Sequence, residues 1–324
     1  MRPQDIKHIG VFTSGGDAPG MNAAVYAAVK TANAHGIKVS GIRKGFEGLI
    51  DNEFAPLSAN ELQKTMHLGG TILKTARSDR FRSLEGRAIA RENILKNEID
   101  GLVVIGGDGT FRGISSLSDI SDVPSIGIPG TIDNDTVGTD YTMGFDSAVN
   151  TAMSCIDNIR DTAESHNRMF VIEVMGRDSG YIGIYSGLSC GADSILIPEC
   201  PHELTYLLDK IKDYDSEDAF IVILSEGNRL GLDLVSLKIR QVNREIDLRL
   251  CKLGHIQRGG NPSAADRMLG IRLGTLAVKA LIQGETNKMA GICNNKLVLT
   301  PFSQVTKQHG IGSDLKSLLA LFCR

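Results

Sequence analysis

Gly101-Leu-Val-Val-Ile-Gly-Gly-Asp-Gly-Thr110 decides the fold class, because a strongly apolar strand runs into a glycine-rich turn that opens a helix over Thr110–Leu117. The same grammar recurs on both sides of it. Upstream, a strand at Ile9–Thr13 precedes a helix at Met21–His35 and a second strand at Lys38–Ile42. Downstream, strands are expected at Ser125–Ile128, Phe170–Val174, Ser194–Ile197, Ala219–Leu224 and Leu248–Leu253. Helices are expected at Ser147–Ala163, His202–Lys212 and Ala264–Ile282. Short β-rich runs alternating with longer helical patterns predict βαβ units and an α/β fold built on parallel sheets. At 324 residues the chain exceeds what one small core fills, so two lobes of similar size are expected. The division is expected near Gly138–Gly144, with a return to the first lobe around residues 255–300; no internal repeat and no linker interrupts the chain.

Composition narrows the chemistry. The formal net charge of −3 provides no global basic field, which argues against a nucleic-acid partner and for small molecules. The six cysteines (155, 190, 200, 251, 293, 323) form no CxxC pair and no metal-ligand spacing, and they read as reduced, mostly buried thiols. No stretch of about 18 apolar residues occurs and the start lacks an apolar signal core, so a cytoplasmic enzyme away from membranes is expected. The 36 glycines exceed the usual share of about 7% and gather in clusters, which suggests backbone lying close to ligands.

Four turns carry the polar residues, and parallel sheets bind ligands beyond the carboxyl ends of their strands. The first, Thr13-Ser14-Gly15-Gly16-Asp17-Ala18-Pro19-Gly20, joins a strand to a helix and points N–H groups at an anion. It is no Walker A loop, since the chain has no GK dipeptide, and structural punctuation is the bland alternative. The second turn, around Asp108, misses the dinucleotide fingerprint because Arg112 stands where GxGxxG needs glycine. Its aspartate is suited either to a hard cation such as Mg²⁺ among phosphates or to capping the helix. The third, Pro129-Gly130-Thr131-Ile132-Asp133-Asn134-Asp135, sets two carboxylates two residues apart, a spacing that shares one face if the loop is extended. One carboxylate then accepts a hydroxyl proton while the other holds metal or orients its neighbour; an Asx turn is the alternative. The fourth, Leu253-Gly254-His255-Ile256-Gln257-Arg258-Gly259-Gly260, puts His255 and Arg258 beside paired glycines, while Arg168, Arg177 and Arg249 lie near other strand ends. Fixed guanidinium groups make a phosphate-ester pocket, and surface ion pairs are the alternative for each one.

These four turns in this order, with Met175-Gly176-Arg177, resemble the signature set of the bacterial ATP-dependent 6-phosphofructokinases, from about Lys7 to about Val298. The Gly-Gly-Asp-Gly-Thr run alone is similar also to NAD kinases and diacylglycerol kinases; the joint pattern is what selects. The resemblance implies two Rossmann-like three-layer αβα lobes with the active site in the cleft between them. It assigns residues 1–144 and 257–305 to an ATP-binding lobe, and 145–256 and 306–324 to a fructose 6-phosphate-binding lobe. It implies that Gly16, Arg77, Ser78, Phe81, Arg82, Gly107, Asp108, Gly109 and Thr110 surround ATP, with Asp108 serving Mg²⁺. Asp133 becomes the general base on the sugar 1-hydroxyl, Thr131 and Arg177 contact the transferring phosphoryl group, and Asp135 supports metal and base. Met175, Gly176 and Glu226 hold the sugar. The 6-phosphate meets His255 and Arg258 of one subunit and Arg168 and Arg249 of its neighbour, which implies a homo-oligomer, usually a tetramer, with shared active sites.

The same resemblance implies an allosteric enzyme with a second, largely basic site between subunits for ADP and phosphoenolpyruvate. Here that site departs from the pattern. The first helix offers Tyr26 and Lys30, only Arg160 matches directly, Asp193 stands for a glutamate, and Glu217 and Asp218 replace lysines. Weak or altered regulation is therefore expected. Three rival readings remain. A pyrophosphate-dependent relative is expected to carry aspartate and lysine where Gly109 and Gly130 stand. A catalytically silent nucleotide sensor is expected to lack Asp108 or the Asp133/Asp135 pair, and a nicotinamide oxidoreductase to have the missing fingerprint.

Overall fold

The computed structural model describes residues 6–212, 214, 218–307 and 310–323. Its elements alternate along the chain: β1 (His8–Thr13), α1 (Met21–Ala34), β2 (Lys38–Ile42), α2 (Phe46–Ile50), β3 (Phe54–Pro56), α3 (Ala59–Gln63), α4 (Leu84–Lys96), β4 (Gly101–Gly106), α5 (Asp108–Ser118) and β5 (Ser125–Pro129). There follow α6 (Phe145–Glu164), β6 (Met169–Val174), α7 (Tyr181–Ser189), β7 (Ser194–Leu196), α8 (Glu203–Lys210), β8 (Phe220–Ser225), α9 (Gly231–Val242) and β9 (Leu248–Lys252). The chain closes with α10 (Ala264–Ile282), β10 (Lys288–Cys293), β11 (Lys296–Pro301) and α11 (Ser313–Cys323). Every strand and helix named from the sequence is present, most within a residue or two of the expected ends.

Two compact units divide the chain. The first comprises Met1–Ile132, Thr136–Ser147 and Arg258–Lys307, and the second Asp133–Asp135, Ala148–Gln257 and Gln308–Arg324. Relative to the expected boundaries, each crossing lies a few residues later, and the Asp133–Asp135 tripeptide groups with the second unit.

The first unit holds a seven-stranded sheet in the order β11-β10-β5-β4-β1-β2-β3. Its five inner strands are parallel, while β3 and β11 are antiparallel edges. Side chains alternate across a strand, so Leu102 and Val104 join Phe12, Phe46, Ile94, Phe111 and Ile114 in one apolar cluster. The opposite face is covered by α1 and α10, which run against each other. The second unit holds a parallel four-stranded sheet in the order β7-β8-β6-β9. There Met169, Val171, Val222 and Leu224 pack with Leu207 and Ile211 near α8 and with Val235 and Ile239 of α9. Strands buried on both faces need continuous apolar runs rather than alternation, and β4 and β8 are buried at every position.

The six cysteines are free thiols, yet only Cys323 is buried and the other five are half-exposed, which corrects the expectation of mostly buried thiols. Burial pushes the Cys190 thiol up to about 12 and that of Cys323 up to about 11, so both stay protonated and inert at neutral pH. Among the described residues no helix is long and apolar enough to cross a membrane.

Candidate active site

In the first unit the chain leaves β1 toward β2 on one side and returns as β4 on the other, so β1 and β4 flank the point where strand order reverses. A crevice beyond the carboxyl ends of strands at such a point is where open parallel sheets take ligands. The first two glycine-rich turns meet there. Ser14 donates its backbone N–H to the Ile105 carbonyl at 2.9 Å, and Gly130 donates to that of Gly106 at 3.0 Å, which ties the third turn to the second. Thr131 also approaches, since a methyl group on Gly107 would lie 4.0 Å from its Cβ.

Asp108 is the first residue of α5, and Gly107 holds the cap position without a side-chain cap bond. The capping alternative for Asp108 is thereby set aside. Its Oδ2 is buried and makes no hydrogen bond, although the exposed guanidinium of Arg112, one helical turn on, lies 2.8 Å away as an ion pair. Open space adjoins Gly107 and Gly109. No group of three or more metal-ligating side chains exists among the described residues. One carboxylate beside open backbone fits Mg²⁺, which keeps waters and substrate phosphates as its other ligands.

Arg258 lies against the first turn. Its Nη1 donates to the Asp17 carbonyl at 3.2 Å, and a methyl group on Gly16 would come within 2.5 Å of that same nitrogen. Two expected contact residues are thus in contact with each other. The stretch after residue 68 braces the same turn: Thr13 Oγ1 sits 2.9 Å from Thr71 Oγ1 and donates to the Lys74 carbonyl, and Thr75 donates to the Gly15 carbonyl. Of the four expected nucleotide contacts that follow, Arg77 and Arg82 are exposed and Ser78 accepts the Phe81 N–H at 3.2 Å. Phe81 differs from expectation. Its ring stacks on Phe46 with centroids 4.2 Å apart inside the apolar cluster, so the ring is core and only its backbone remains for a ligand.

The third turn is not extended. Asn134 has φ 49°, in the left-handed region that asparagine tolerates, so the shared-face argument for Asp133 and Asp135 fails. The chain bends at Asn134 instead, and Asp133 and Asp135 are both buried, at 7% and 5% exposure. Buried carboxylates are retained only with compensating chemistry.

In the second unit, the turns after β6, β8 and β9 lie at one end of the sheet. Gly176 at φ 138° and Arg177 at φ 55° bend the chain sharply after β6, the first a conformation open in practice to glycine alone. Glu226, just past β8, accepts the Arg177 backbone N–H at 2.8 Å, while Gln257 accepts that of Met175 at 3.2 Å. Gln257 is fully buried and also donates to the Gly254 carbonyl, which fixes the short 3₁₀ helix that carries His255. These bonds tie the turn that carries Met175, Gly176 and Arg177 to Glu226 and to the segment that carries His255. Arg168 and Arg249 lie elsewhere. Arg168 precedes β6 and Arg249 is the second residue of β9 next to it, toward the opposite, amino end of the strands; the seven residues from Arg168 to Met175 span about 23 Å at roughly 3.3 Å per residue.

Of the expected effector residues, Tyr26 and Lys30 lie on α1, half-buried and exposed respectively. Arg160 donates to the carbonyls of Cys190 at 2.7 Å and Gly191 at 3.0 Å. Asp193 accepts the Ile221 N–H at 2.8 Å, and Lys210 donates to its carbonyl. Glu217 lies outside the described residues.

Sequence reasoning missed Asp266. From the first turn of α10 its buried carboxylate accepts Gly144 N–H at 2.7 Å, Ser147 N–H at 2.8 Å and Ser147 Oγ–H at 2.6 Å, closing the start of α6. Ser263 followed three residues later by an acid was the available signal, yet it marks only the start of α10. Asp247 and Arg112 were also missed, and nothing local distinguishes them from surface charge.

A phosphofructokinase family model matches residues 8–281. The chain is 47% identical over 317 residues to the ATP-dependent 6-phosphofructokinase of Cytophaga hutchinsonii, covering 97% of each chain. It is 47% identical over 306 residues to ATP-dependent 6-phosphofructokinase 1 of Thermus thermophilus, covering 94% and 95%. Among solved structures, phosphofructokinase from Saccharomyces cerevisiae superposes with a TM-score of 0.84 at 35% identity, over 92% of this chain and 45% of the longer yeast chain. A pyrophosphate-dependent phosphofructokinase from Marinobacter aquaeolei reaches a TM-score of 0.84 over 98% of this chain and 92% of its own, and at 23% identity it shares the fold. The chain belongs to the phosphofructokinase family.

Proposed function

We propose that this chain transfers the γ-phosphoryl group of ATP to the 1-hydroxyl of fructose 6-phosphate, giving fructose 1,6-bisphosphate and ADP. The observation that carries the reading is the buried Asp133, held with Asp135 in the bend beyond β5, in a chain 47% identical to enzymes of that name. The 1-hydroxyl oxygen bonds to the γ-phosphorus, the bond from that phosphorus to the ADP oxygen breaks, and the hydroxyl proton passes to Asp133. Phosphoryl transfer needs in-line placement and charge neutralisation more than covalent catalysis, so no nucleophilic side chain is required. Thr131 and Arg177 take the transferring group, Asp135 supports the base, and Met175, Gly176 and Glu226 orient the sugar. Gly16 and Gly107 to Thr110 form the nucleotide phosphate cradle, with Arg77, Ser78 and Arg82 beside it and Phe81 present through its backbone. Asp108 would hold Mg²⁺, which when bound neutralises charge on the phosphoryl oxygens.

Two glycines favour ATP over pyrophosphate. A side chain at Gly130 would meet Met21 Cε at 2.8 Å and Ile105 Cγ2 at 3.2 Å, so the lysine expected of pyrophosphate users would require Met21 to shift. Gly109 faces open space, with only an Arg112 nitrogen at 3.9 Å from an added methyl, where an aspartate would intrude on a triphosphate. His255 and Arg258 bind the sugar 6-phosphate from one subunit, and Arg168 and Arg249 from another. The separation of the second pair from His255 along the β6–β9 sheet supports a homo-oligomer, a tetramer by resemblance. Asp133→Asn tests the reading: kcat is expected to fall by about 10² or more while fructose 6-phosphate still binds. Near-normal turnover would remove Asp133 from this role.

A further inference from the structure

Arg168 and Arg249 share one carboxylate. Asp247, immediately before β9, accepts Nε–H of Arg168 at 2.7 Å through Oδ2. Nη2 of Arg249 lies 3.0 Å from Oδ1 and 3.1 Å from Oδ2 of the same group. Backbone geometry fixes the three together. Arg249 stands opposite Phe170 in the β6–β9 register, and the Met169 N–H donates to the Asp247 carbonyl at 3.2 Å. The Arg168 hydrogen bond, then the Arg249 charge, holds the Asp247 carboxyl below the usual aspartate range, so it is ionised at neutral pH.

What the carboxylate leaves open matters more than what it binds. Arg168 is gripped through Nε, so both terminal amino groups of its fork keep their N–H donors. Arg249 is gripped through Nη2. No other hydrogen bond or ion pair engages either guanidinium among the described residues. Their side chains are 27% and 51% exposed, so the remaining donors reach solvent. Two neighbouring guanidiniums with no anion between them repel and spread over many rotamers. With one carboxylate between them they converge and retain a net positive charge and a shared set of donors. That is the arrangement a tetrahedral phosphate ester requires.

We propose that Asp247 is a positioning residue for substrate binding, which sets the spacing of Arg168 and Arg249 so that both meet the ester phosphate of the sugar. The inference rests on the reading above that these two arginines bind that phosphate, and the experiment separates the two. Steady-state kinetics and thermal melts are compared for the full-length wild type, Asp247→Asn, Asp247→Glu, Arg168→Ala and Arg249→Ala. Each arginine variant is expected to raise KM for fructose 6-phosphate about tenfold or more. Asp247→Asn is expected to raise it about tenfold, with kcat and KM for ATP within about twofold, and Asp247→Glu to recover part of the loss. Exposed ion pairs contribute little to folding, so the melting temperature of Asp247→Asn should stay within about 2 °C. Arginine variants that respond while Asp247→Asn changes KM less than about twofold, or lowers it, overturn the inference and leave the reading of the arginines standing. Arginine variants that leave KM unchanged overturn both.

Discussion

Glu226 accepts the backbone N–H of Arg177 at 2.8 Å, so the turn after β8 holds the turn after β6. Arg177 sits at φ 55°, a conformation that costs a side-chain-bearing residue about 1 kcal/mol or more and persists only when its surroundings enforce it. Glu226→Ala removes that anchor together with the proposed sugar contact. It is expected to raise KM for fructose 6-phosphate at least tenfold and to lower kcat, because the backbone that sets Arg177 in its proposed role loses its anchor. Glu226→Gln keeps an acceptor oxygen and should retain most of kcat. Equal kcat in the alanine and wild-type enzymes would show that Glu226 does not position Arg177.

Asp266 is a structural counterpart. Desolvation raises its pKa above the ordinary aspartate value, opposed by the bonds from Ser147 and Gly144. The folded state therefore holds the proton at higher pH than the unfolded state does. Between the ordinary value and the raised one, this group's contribution to stability grows as pH falls, and it is lost as pH rises through the folded value. Asp266→Asn should remove that pH-dependent part. At neutral pH the amide offers one acceptor oxygen to three donors, a cost of about 1–3 kcal/mol that should lower the melting temperature by several degrees. An unchanged melting curve at pH 7 would contradict this account of the α6 cap.

Much of this was legible in advance, and the misses share a cause. The strands and helices follow from apolar runs and glycine-rich turns, which act locally, so β4 and α5 could be placed from ten residues. Met175, Gly176, Arg177 and Glu226 converge because each ends or follows a strand of one parallel sheet. Asn134 broke the extended-loop reading since a single left-handed residue reverses which side chains share a face. Phe81 is placed at the nucleotide by resemblance, and only the fold shows its ring packed into the core on Phe46, 35 positions earlier. Asp247 and Asp266 take their meaning from partners 79 and 119 residues away, a separation that no local pattern encodes.

Regulation by ADP and phosphoenolpyruvate should be weak. Arg160 already serves the Cys190 and Gly191 carbonyls, the Lys210 amine is bonded to the Asp193 carbonyl, and α1 offers Tyr26 and Lys30 where two arginines are expected. Losing one or two charged contacts of about 1.5–3 kcal/mol each weakens an anion by tenfold or more. Titrating both effectors against activity at sub-saturating fructose 6-phosphate should give changes below about twofold at ordinary metabolite levels. Strong regulation by both would mean that other basic residues complete the site.

Fructose 1,6-bisphosphate formation is followed with purified protein, Mg²⁺ and fructose 6-phosphate, with either ATP or pyrophosphate as the sole donor. An added side chain at Gly109 has open space and one at Gly130 crowds Met21, so on the proposed donor site product should form with ATP, at a rate at least about 10² above that with pyrophosphate, an order comparable to losing one positioned catalytic group. Product formed from pyrophosphate and not from ATP, or from neither donor, would contradict the account.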